Sequence, residues 1–416
     1  MDASAALFQA ALGIADPWYI QAVRLDQQSK VLEIEIDFRR GSRFTLEGLA
    51  GSLPAYDTRE IRYRHLNFFQ FQCELIVRVP SVRSDDGSLH EVRPLWAGNL
   101  RGFTILFEAL IVLLVDNGMT FAEASRVTGA SPYQIKEIVV GVAERKIAEQ
   151  DLSEVKRLAI DETSKAKGHD YVTIAADADI RRVVDVQPGR GKDAVVAVAG
   201  TLKARGGDPA AITDICVDMS PAYLAGVSEA FTAARVTVDK FHIIQHANQA
   251  VDDVRRREQK STGMLKGVRW ILRRAVETLS IKDHDRLIQI TADAPTSATV
   301  DAWVLKEWLR SILKGRQRNV MRGKLRLWCS IASAQDNALQ PMKKVAEMIV
   351  EHMEQIVNMA HSKLSNGFLE SLHNKFQIAK RKARGFRSFR TIRAMIFLQA
   401  GKLDLSSLYN DLLLPT

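Results

Sequence analysis

The hydrophobic period changes several times along the chain. Residues 31–38, VLEIEIDF, alternate apolar and charged positions as a half-buried strand does, and FQFQCELIVRVP, residues 69–80, repeats that period of two. Arg40-Gly41-Ser42 reads as a hairpin turn from the first of these into RFTLEGL. Residues 1–16 read as a short helix or loose arm, and 17–95 as a small β domain. From residue 102 the period lengthens. GFTILFEALIVLLVDNG predicts a largely buried helix stopped at Asn117-Gly118, and MTFAEASRVTG a short helix ending at Gly129. A third helix, YQIKEIVVGVAERK, has Ser131 as its N-cap and Pro132 in its first turn. Short helix, glycine turn and longer helix is the helix-turn-helix outline; a bundle packed between domains shares the pattern.

Residues 155–242 mix the two periods. VKRLAID (155–161) predicts a strand, and DYVTIAAD and RRVVDVQPG two more, joined near Ala178-Asp179. KDAVVAVAGTLKARGG follows as a helix, AITDICVD (211–218) as a buried strand, PAYLAGVSEAF as a helix and RVTVDKFH (235–242) as a strand. The order β-β-β-α-β-α-β, with the first three strands antiparallel, is that of an RNase H-like core. Residues 250–350 read as helical throughout. They hold Trp270, Trp303, Trp308 and Trp328, expected in core packing, with stacking of one of them on an unpaired base as the alternative. The last helices are expected at 342–360, 366–384 and 388–400. The fold class is therefore an α/β RNase H-like core interrupted by an all-helical insertion and preceded by a small β domain and a helix-turn-helix. The corresponding boundaries are 1–98, 99–150, 151–250, 251–350 and 351–416.

Composition narrows the classes. The 416 residues are 46% apolar and 26% charged, which excludes a disordered chain, a collagen-like fibre and a disulfide miniprotein. Lys and Arg number 58 against 49 Asp and Glu, a net charge of +9 that points to a polyanionic partner. Cys73, Cys216 and Cys329 lie far apart and form no CxxC pair, so neither a disulfide framework nor a cysteine zinc site is indicated. The opening residues lack a basic segment followed by an apolar core. The most apolar run, 103–115, is too short for a bilayer and carries Glu108. The expectation is a cytoplasmic, reduced compartment and no membrane.

Asp161 is expected at the end of the first strand of the α/β segment and Asp218 at the end of the fourth, strands that are neighbours in an RNase H-like sheet. Glu370 falls in the first turns of the helix NGFLESLHNKFQIAKRK. The first interval, 57 residues, suits three intervening elements; the second, 152 residues, requires an inserted subdomain. Converging acids repel one another unless cations join them. Mg²⁺ takes oxygen ligands and keeps several waters, so a few carboxylates and a phosphate suffice. Spacing alone leaves Glu162, Asp177, Asp179, Asp214 and Asp239 open as rival acids.

The motifs carry a resemblance. LAIDETSKAKGHDYVTI (158–174), ICVDMSPAY (215–223), VDKFHII (238–244) and SNGFLESLHNKFQIAKRKARGFRSF (365–389) are similar to successive blocks of the ISL-three family of bacterial insertion-sequence transposases. YDTREIRYRHLNFFQFQCELIVRVPSVR (56–83) resembles the family's N-terminal segment. The resemblance covers about residues 55–400. It implies a DDE transposase with Asp161, Asp218 and Glu370 as catalytic, metal-binding triad, using Mg²⁺ (or Mn²⁺) to cut the terminal inverted repeats of its element and to join the 3′-hydroxyls to target DNA. It further implies double-stranded DNA as partner, a homodimer or higher homo-oligomer on DNA, and association with the bacterial nucleoid when bound. Where the family carries a cysteine-rich zinc module, this chain has Leu46, Leu49 and Leu53, with Ser84 at a later position, so an apolar cluster is expected in place of zinc.

Candidate DNA contacts follow. Asn366 and Asn374 lie four residues either side of Glu370, placed either to orient its carboxylate or to touch phosphate. Lys375, Lys380, Arg381, Lys382, Arg384 and Arg387 continue the helix and, if not merely a solvated face, meet phosphate. Tyr133, Gln134 and Lys136 start the third helix of the helix-turn-helix and are expected to read the repeat; Arg255 and Arg256 in VRRREQK are a second backbone-contact candidate. His373 stands where the family more often has a small polar residue. A non-catalytic DNA-binding regulator descended from such an enzyme, and a junction nuclease of the same fold, are the alternatives.

Overall fold

Alternating apolar positions build the first of two sheets. The computed structural model describes residues 3–164, 170–261, 263–293, 297–362, 364 and 366–410; Gly168, His169 and Ser365 of the motifs lie outside them. The chain forms two units, one of Met1–Glu149, Ala379–Gln399 and Leu403–Thr416, the other of Gln150–Ile378 and Ala400–Lys402.

In the first unit, helix α1 (Ala3–Ala11) precedes strands β1 (Trp18–Asp26), β2 (Val31–Phe38), β3 (Arg43–Phe44), β4 (Leu53–Phe68), β5 (Phe71–Arg83) and β6 (Leu89–Glu91). The sheet order is β1-β2-β5-β4-β3, with β6 on β5. Strand β2 pairs with β1 and, in parallel, with β5, while β3 pairs with β4. Arg40-Gly41-Ser42 is therefore not a hairpin turn: the chain leaves the sheet there and re-enters beside the long β4. The inward residues Ile34, Leu75, Val77 and Val79 are fully buried. Leu46, Leu49 and Leu53 pack against that core, which also holds Trp18, Phe38 and Phe44.

Three helices follow: α2 (Ile105–Asp116), α3 (Phe121–Thr128) and α4 (Pro132–Ala148). Their boundaries come from side-chain caps. Thr104 caps α2, and Thr120 with Glu123 and Ser131 with Gln134 form reciprocal capping boxes on α3 and α4. Gly129 closes α3 at φ +77°, a left-handed position that suits glycine. Glu108, inside the most apolar helix, is satisfied by the Leu100 N–H at 2.6 Å and Asn99 Nδ2 at 3.1 Å.

The second unit contains β7 (Arg157–Ser164), β8 (Tyr171–Asp177), β9 (Arg182–Pro188), α5 (Lys192–Ala204), β10 (Asp214–Val217), α6 (Pro221–Ala230) and β11 (Arg235–Val238). The five strands order as β11-β10-β7-β8-β9; β10 is parallel to both β11 and β7, and β7-β8-β9 are antiparallel. The helical part comprises α7 (Lys240–Glu258), α8 (Arg269–Arg273), α9 (Ile281–Asp293), α10 (Ala298–Ile312), α11 (Arg318–Ser333), α12 (Gln340–Glu351) and α13 (Met353–Ser362). Helix α14 (Gly367–Lys382) comes next, then α15 (Phe389–Ala400) and α16 (Ser406–Tyr409). Within its unit, α15 is tied to α4 by Arg390, which bonds Glu144 twice at 2.7 Å and Glu137 at 2.9 Å. No described helix is long and apolar enough to cross a membrane.

Further expectations are corrected. Asp161 is not at a strand end; β7 runs three residues beyond it. Residues 240–242 are not strand but the first turn of α7, capped by Asp239, whose Oδ1 accepts the Phe241 N–H at 3.3 Å. Residues 342–360 are not one helix but parts of two, separated at His352 with no proline or glycine to mark the break. Trp328 is buried, and Trp303 and Trp308 pack on the helical core, but Trp270 is 65% exposed, with the Arg269 and Arg273 guanidinium groups 5.2 and 5.6 Å from its ring centre.

Candidate active site and nucleic-acid interface

The parallel register places the acids. Asp214 pairs with Arg157 and with Arg235, and Cys216 with Ala159 and with Thr237. Continued two residues further, that register brings Asp218, Asp161 and Asp239 onto one row across three neighbouring strands; the Asp239 N–H still donates to Val217 O at 3.1 Å. Each aspartate has its Oδ1 turned by a nearby backbone N–H: Glu162 to Asp161 at 2.8 Å, Met219 to Asp218 at 2.6 Å and Phe241 to Asp239.

His242, one turn into α7, stands between two of them. Its Nε2 lies 3.9 Å from Asp161 Oδ1 and its Nδ1 3.7 Å from Asp218 Oδ1. On the other side of Asp161, His373 Nδ1 lies 3.7 Å from Oδ2. His373 belongs to α14, and this helix is pinned to β7 on both sides of Asp161. Asn366 Nδ2 donates to Ile160 O at 3.0 Å; Gln377 Nε2 donates to Thr163 Oγ1 at 3.1 Å and to Ser164 O at 2.8 Å. Asn366, Glu370, His373 and Gln377 recur at intervals of three or four and form one stripe of the helix. Glu370 thereby joins the electrostatic neighbourhood of Asp239 and His242.

Burial and like charge dominate this cluster. Burial, reinforced by Asp239 and Asp218, pushes the Asp161 carboxyl up to about 7, against the Glu162 N–H and His242. Burial also raises Asp239, and burial together with Asp239 raises Glu370. His373 is driven down to about 4, first by burial and then by His242. Three buried polar atoms here have no hydrogen-bond partner: Asp239 Oδ2, Asn366 Oδ1 and His373 Nε2. Among the described residues no three acidic, histidine or cysteine side chains stand at ligating distance of one point. The donor set nevertheless fits a hard divalent cation: its carboxylates are oxygen donors, and Asp239 Oδ2 is buried with no hydrogen-bond partner.

The DNA-contact candidates divide. Asn366 is fully buried and bonded to β7, so it positions the helix and is corrected as a DNA contact. Arg255 is likewise corrected: it is buried, with Nε and Nη2 on Asp252 at 2.9 and 2.7 Å and Nη1 on Gln259. Arg256 remains half-exposed, paired to Asp252 at 3.0 Å. Asn374 and Lys375 are exposed, so the residue that turns to the acids is His373, not Asn374. In the first unit Tyr133 is exposed with Lys136 Nζ 4.5 Å from its ring centre, while Gln134 uses its Oε1 in the capping box. A groove of about 600 Å³ is lined there by Arg126, Lys136, Lys382, Arg384 and Arg387; Lys382 is held by Glu123 at 3.1 Å and Gly118 O at 3.0 Å. Lys380 and Arg381 occupy the same helix end. Sequence reasoning missed His242, Gln377 and the role of Asp239. The signal was present in Asp239-Lys-Phe-His242, where an N-cap and the fourth residue share one end of a helix.

With an acid row on neighbouring strands and a helix-borne glutamate beside it, comparison with known proteins gives the class. Residues 158–396, more than half of the chain, match the ISL3 model of the DDE transposases, described as transposase, and the chain belongs to that family. It is 23% identical over 343 residues to the transposase for insertion sequence element IS1001 of Bordetella parapertussis, covering 80% of this chain and 82% of that protein. It is 25% identical over 369 residues to the transposase for insertion sequence element IS1557 of Mycobacterium tuberculosis, covering 81% of each.

Proposed function

We propose that the chain is a DDE transposase that binds the terminal inverted repeats of an insertion sequence, cleaves at the element ends and transfers the 3′-hydroxyls to target DNA. The single observation that carries this reading is the row of Asp161, Asp218 and Asp239 with Glu370 brought beside it by the pinned helix. The strand order, with two parallel neighbours added to an antiparallel three-strand meander, supports an RNase H-like core, and the glycine-turned pair α3–α4 supports a helix-turn-helix.

Asp161, Asp218 and Glu370 are the residues that would hold the metal, Mg²⁺ in the first instance. Bound there, divalent metal would supply activation of a water or 3′-hydroxyl and stabilisation of the leaving oxygen. The chain's own part is positioning. The backbone N–H groups at Glu162 and Met219 orient the two aspartates, and His242 presents one ring nitrogen to each. Asn366 and Gln377 fix the helical face that carries Glu370. Burial takes Asp161 and Asp239 out of bulk water and so strengthens the charge interactions they make in the row. In the first unit, Lys136, Arg384 and Arg387 line the groove and, with the exposed Tyr133 at the start of α4, serve as DNA contacts. Pairing two element ends calls for at least two protomers, which makes a homo-oligomer on DNA part of the proposal.

The test is cleavage of a supercoiled plasmid carrying the element ends, followed by joining of a precut 3′-hydroxyl end. The expected result is Mg²⁺-dependent nicking and joining by the wild type, and loss of both by about 1000-fold or more in Asp218→Ala. Equal behaviour of the two proteins refutes the enzyme; cleavage without joining refutes strand transfer.

A further inference from the structure

At the Asp239 end of the acid row the second unit opens a cavity of about 280 Å³. Its lining is of three kinds: Asp239 and Glu370 are acidic, Phe241, Ile244 and Leu313 are apolar, and Lys240, Arg310 and Lys314 are cationic. Phe241 directly precedes His242 and meets its ring edge-on at 5.8 Å, yet the side chain is 48% exposed. Arg310 and Lys314, from α10 and the turn after it, already hold an oxyanion. The two terminal nitrogens of Arg310 reach the Glu277 carboxylate at 3.2 and 2.9 Å, Nη1 also bonds Glu307 at 2.5 Å, and Lys314 Nζ reaches Glu277 at 2.9 Å. Glu277 is itself half-exposed, and a guanidinium fork that holds a carboxylate holds a phosphate equally well.

An aromatic wall, an oxyanion fork and a catalytic carboxylate on one cavity match the parts of a nucleotide. We propose that the cavity receives one unpaired nucleotide next to the scissile phosphodiester, its base stacked on Phe241 and its phosphate taken by Arg310 and Lys314 in exchange for Glu277. The inference rests on the nuclease reading of the acid row and deepens it. Glu370 lines the cavity, so a phosphodiester bound at that carboxylate has its neighbouring nucleotide at the cavity mouth. Stacking on an aromatic ring is indifferent to base identity, which suits a flank that differs at every insertion site. Withdrawing that nucleotide from the duplex also frees the backbone for in-line attack.

The test uses the full chain and a hairpin duplex with a short single-stranded flank carrying 2-aminopurine, whose fluorescence falls on stacking against an aromatic ring. The wild type is expected to quench the probe and to bind the flanked hairpin about 10-fold more tightly than a blunt one. Phe241→Ala loses both effects and Phe241→Tyr keeps them, which separates a stacking role from a misfolded site. The proposal is overturned if Phe241→Ala quenches like the wild type, if Phe241→Tyr does not, or if the wild type fails to distinguish flanked from blunt DNA. Plasmid cleavage by the same proteins, with Asp218→Ala as reference, keeps the two readings apart. Cleavage that survives in Asp218→Ala sinks the nuclease, whereas Asp218-dependent cleavage with a Phe241-independent probe sinks the nucleotide site alone.

Discussion

In the six-stranded sheet of the first unit, charged side chains pair across strands: Arg24 with Glu35 at 2.9 Å, Arg62 with Glu33 and Glu74 at 3.0 and 3.1 Å, and the buried Asp37 with Arg78 at 3.2 Å. Its inner face is apolar, aliphatic and aromatic together, and Leu46, Leu49 and Leu53 pack on that core. The five-stranded sheet of the second unit buries several carboxylates. At one end of β10, Asp214 is neutralised by Arg235 at 2.7 Å. At the other end Asp218, Asp161 and Asp239 share a row with no arginine or lysine in ion-pair reach among the described residues, and only His242 between two of them. The same strand thus shows both treatments of a buried acid. Neutralising Asp214 serves the fold, whereas leaving the row without a basic partner costs stability, a cost that the proposed metal-holding role would account for.

The largest effect is expected where that contrast is sharpest. Asp161→Asn removes a buried charge from the row but keeps its shape. DNA cleavage should fall about 1000-fold, roughly 4 kcal/mol of transition-state stabilisation. The apparent melting temperature in the presence of a chelator should rise, because the variant no longer buries a carboxylate among carboxylates. Parallel cleavage and melting measurements decide it: a lower melting temperature for Asp161→Asn would mean that the row stabilises the sheet, and the contrast would collapse.

Ile34→Ala probes the other sheet. Ile34 is fully buried between Val23 on β1 and Leu75 on β5, and truncation should cost about 3 kcal/mol through lost burial and the cavity left behind. Cleavage per folded molecule should be unchanged. Denaturant unfolding together with activity normalised to the folded fraction checks both, and opposite signs of stability change in Ile34→Ala and Asp161→Asn are the pattern expected.

What was legible in the chain followed from local rules. The strand VLEIEIDF, the capping residues Thr120 and Ser131, and the β-β-β-α-β-α-β order were readable because period and caps are written over a few residues. Asp161, Asp218 and Glu370 were named from motifs, and the structure sets all three in the neighbourhood of His242. The rest depended on which strands become neighbours. Asp239 joins the row only because β11 lies beside β10, and His242 faces it only because the chain turns helical at Lys240. Arg255 looked like part of a basic face because nothing in VRRREQK reveals that Asp252 lies one turn earlier on the buried side. Gln377 is unremarkable in sequence and acts solely through its distance to Thr163 and Ser164.

The smallest expected effect returns to the first unit and asks whether its polar burial is purely structural. His65 on β4 has Nδ1 2.9 Å from Thr104 Oγ1, the N-cap of α2, and burial, with Arg64 adding to it, drives the imidazole down from 6.5 to about 4. The folded state therefore holds His65 neutral, while the unfolded chain takes up a proton near its ordinary value. Because the folded value is the depressed one, this stability is present above about pH 6.5 and is lost as pH falls through that value toward about 4. Between pH 7 and 5 the loss from this group amounts to about 2 kcal/mol. His65→Gln keeps a polar partner for Thr104 without a titrating ring, so the difference in unfolding free energy between wild type and variant should shift by that amount between the two pH values. A pH-independent difference would show that protonated His65 is accommodated in the fold, and that the first unit, too, tolerates a buried charge.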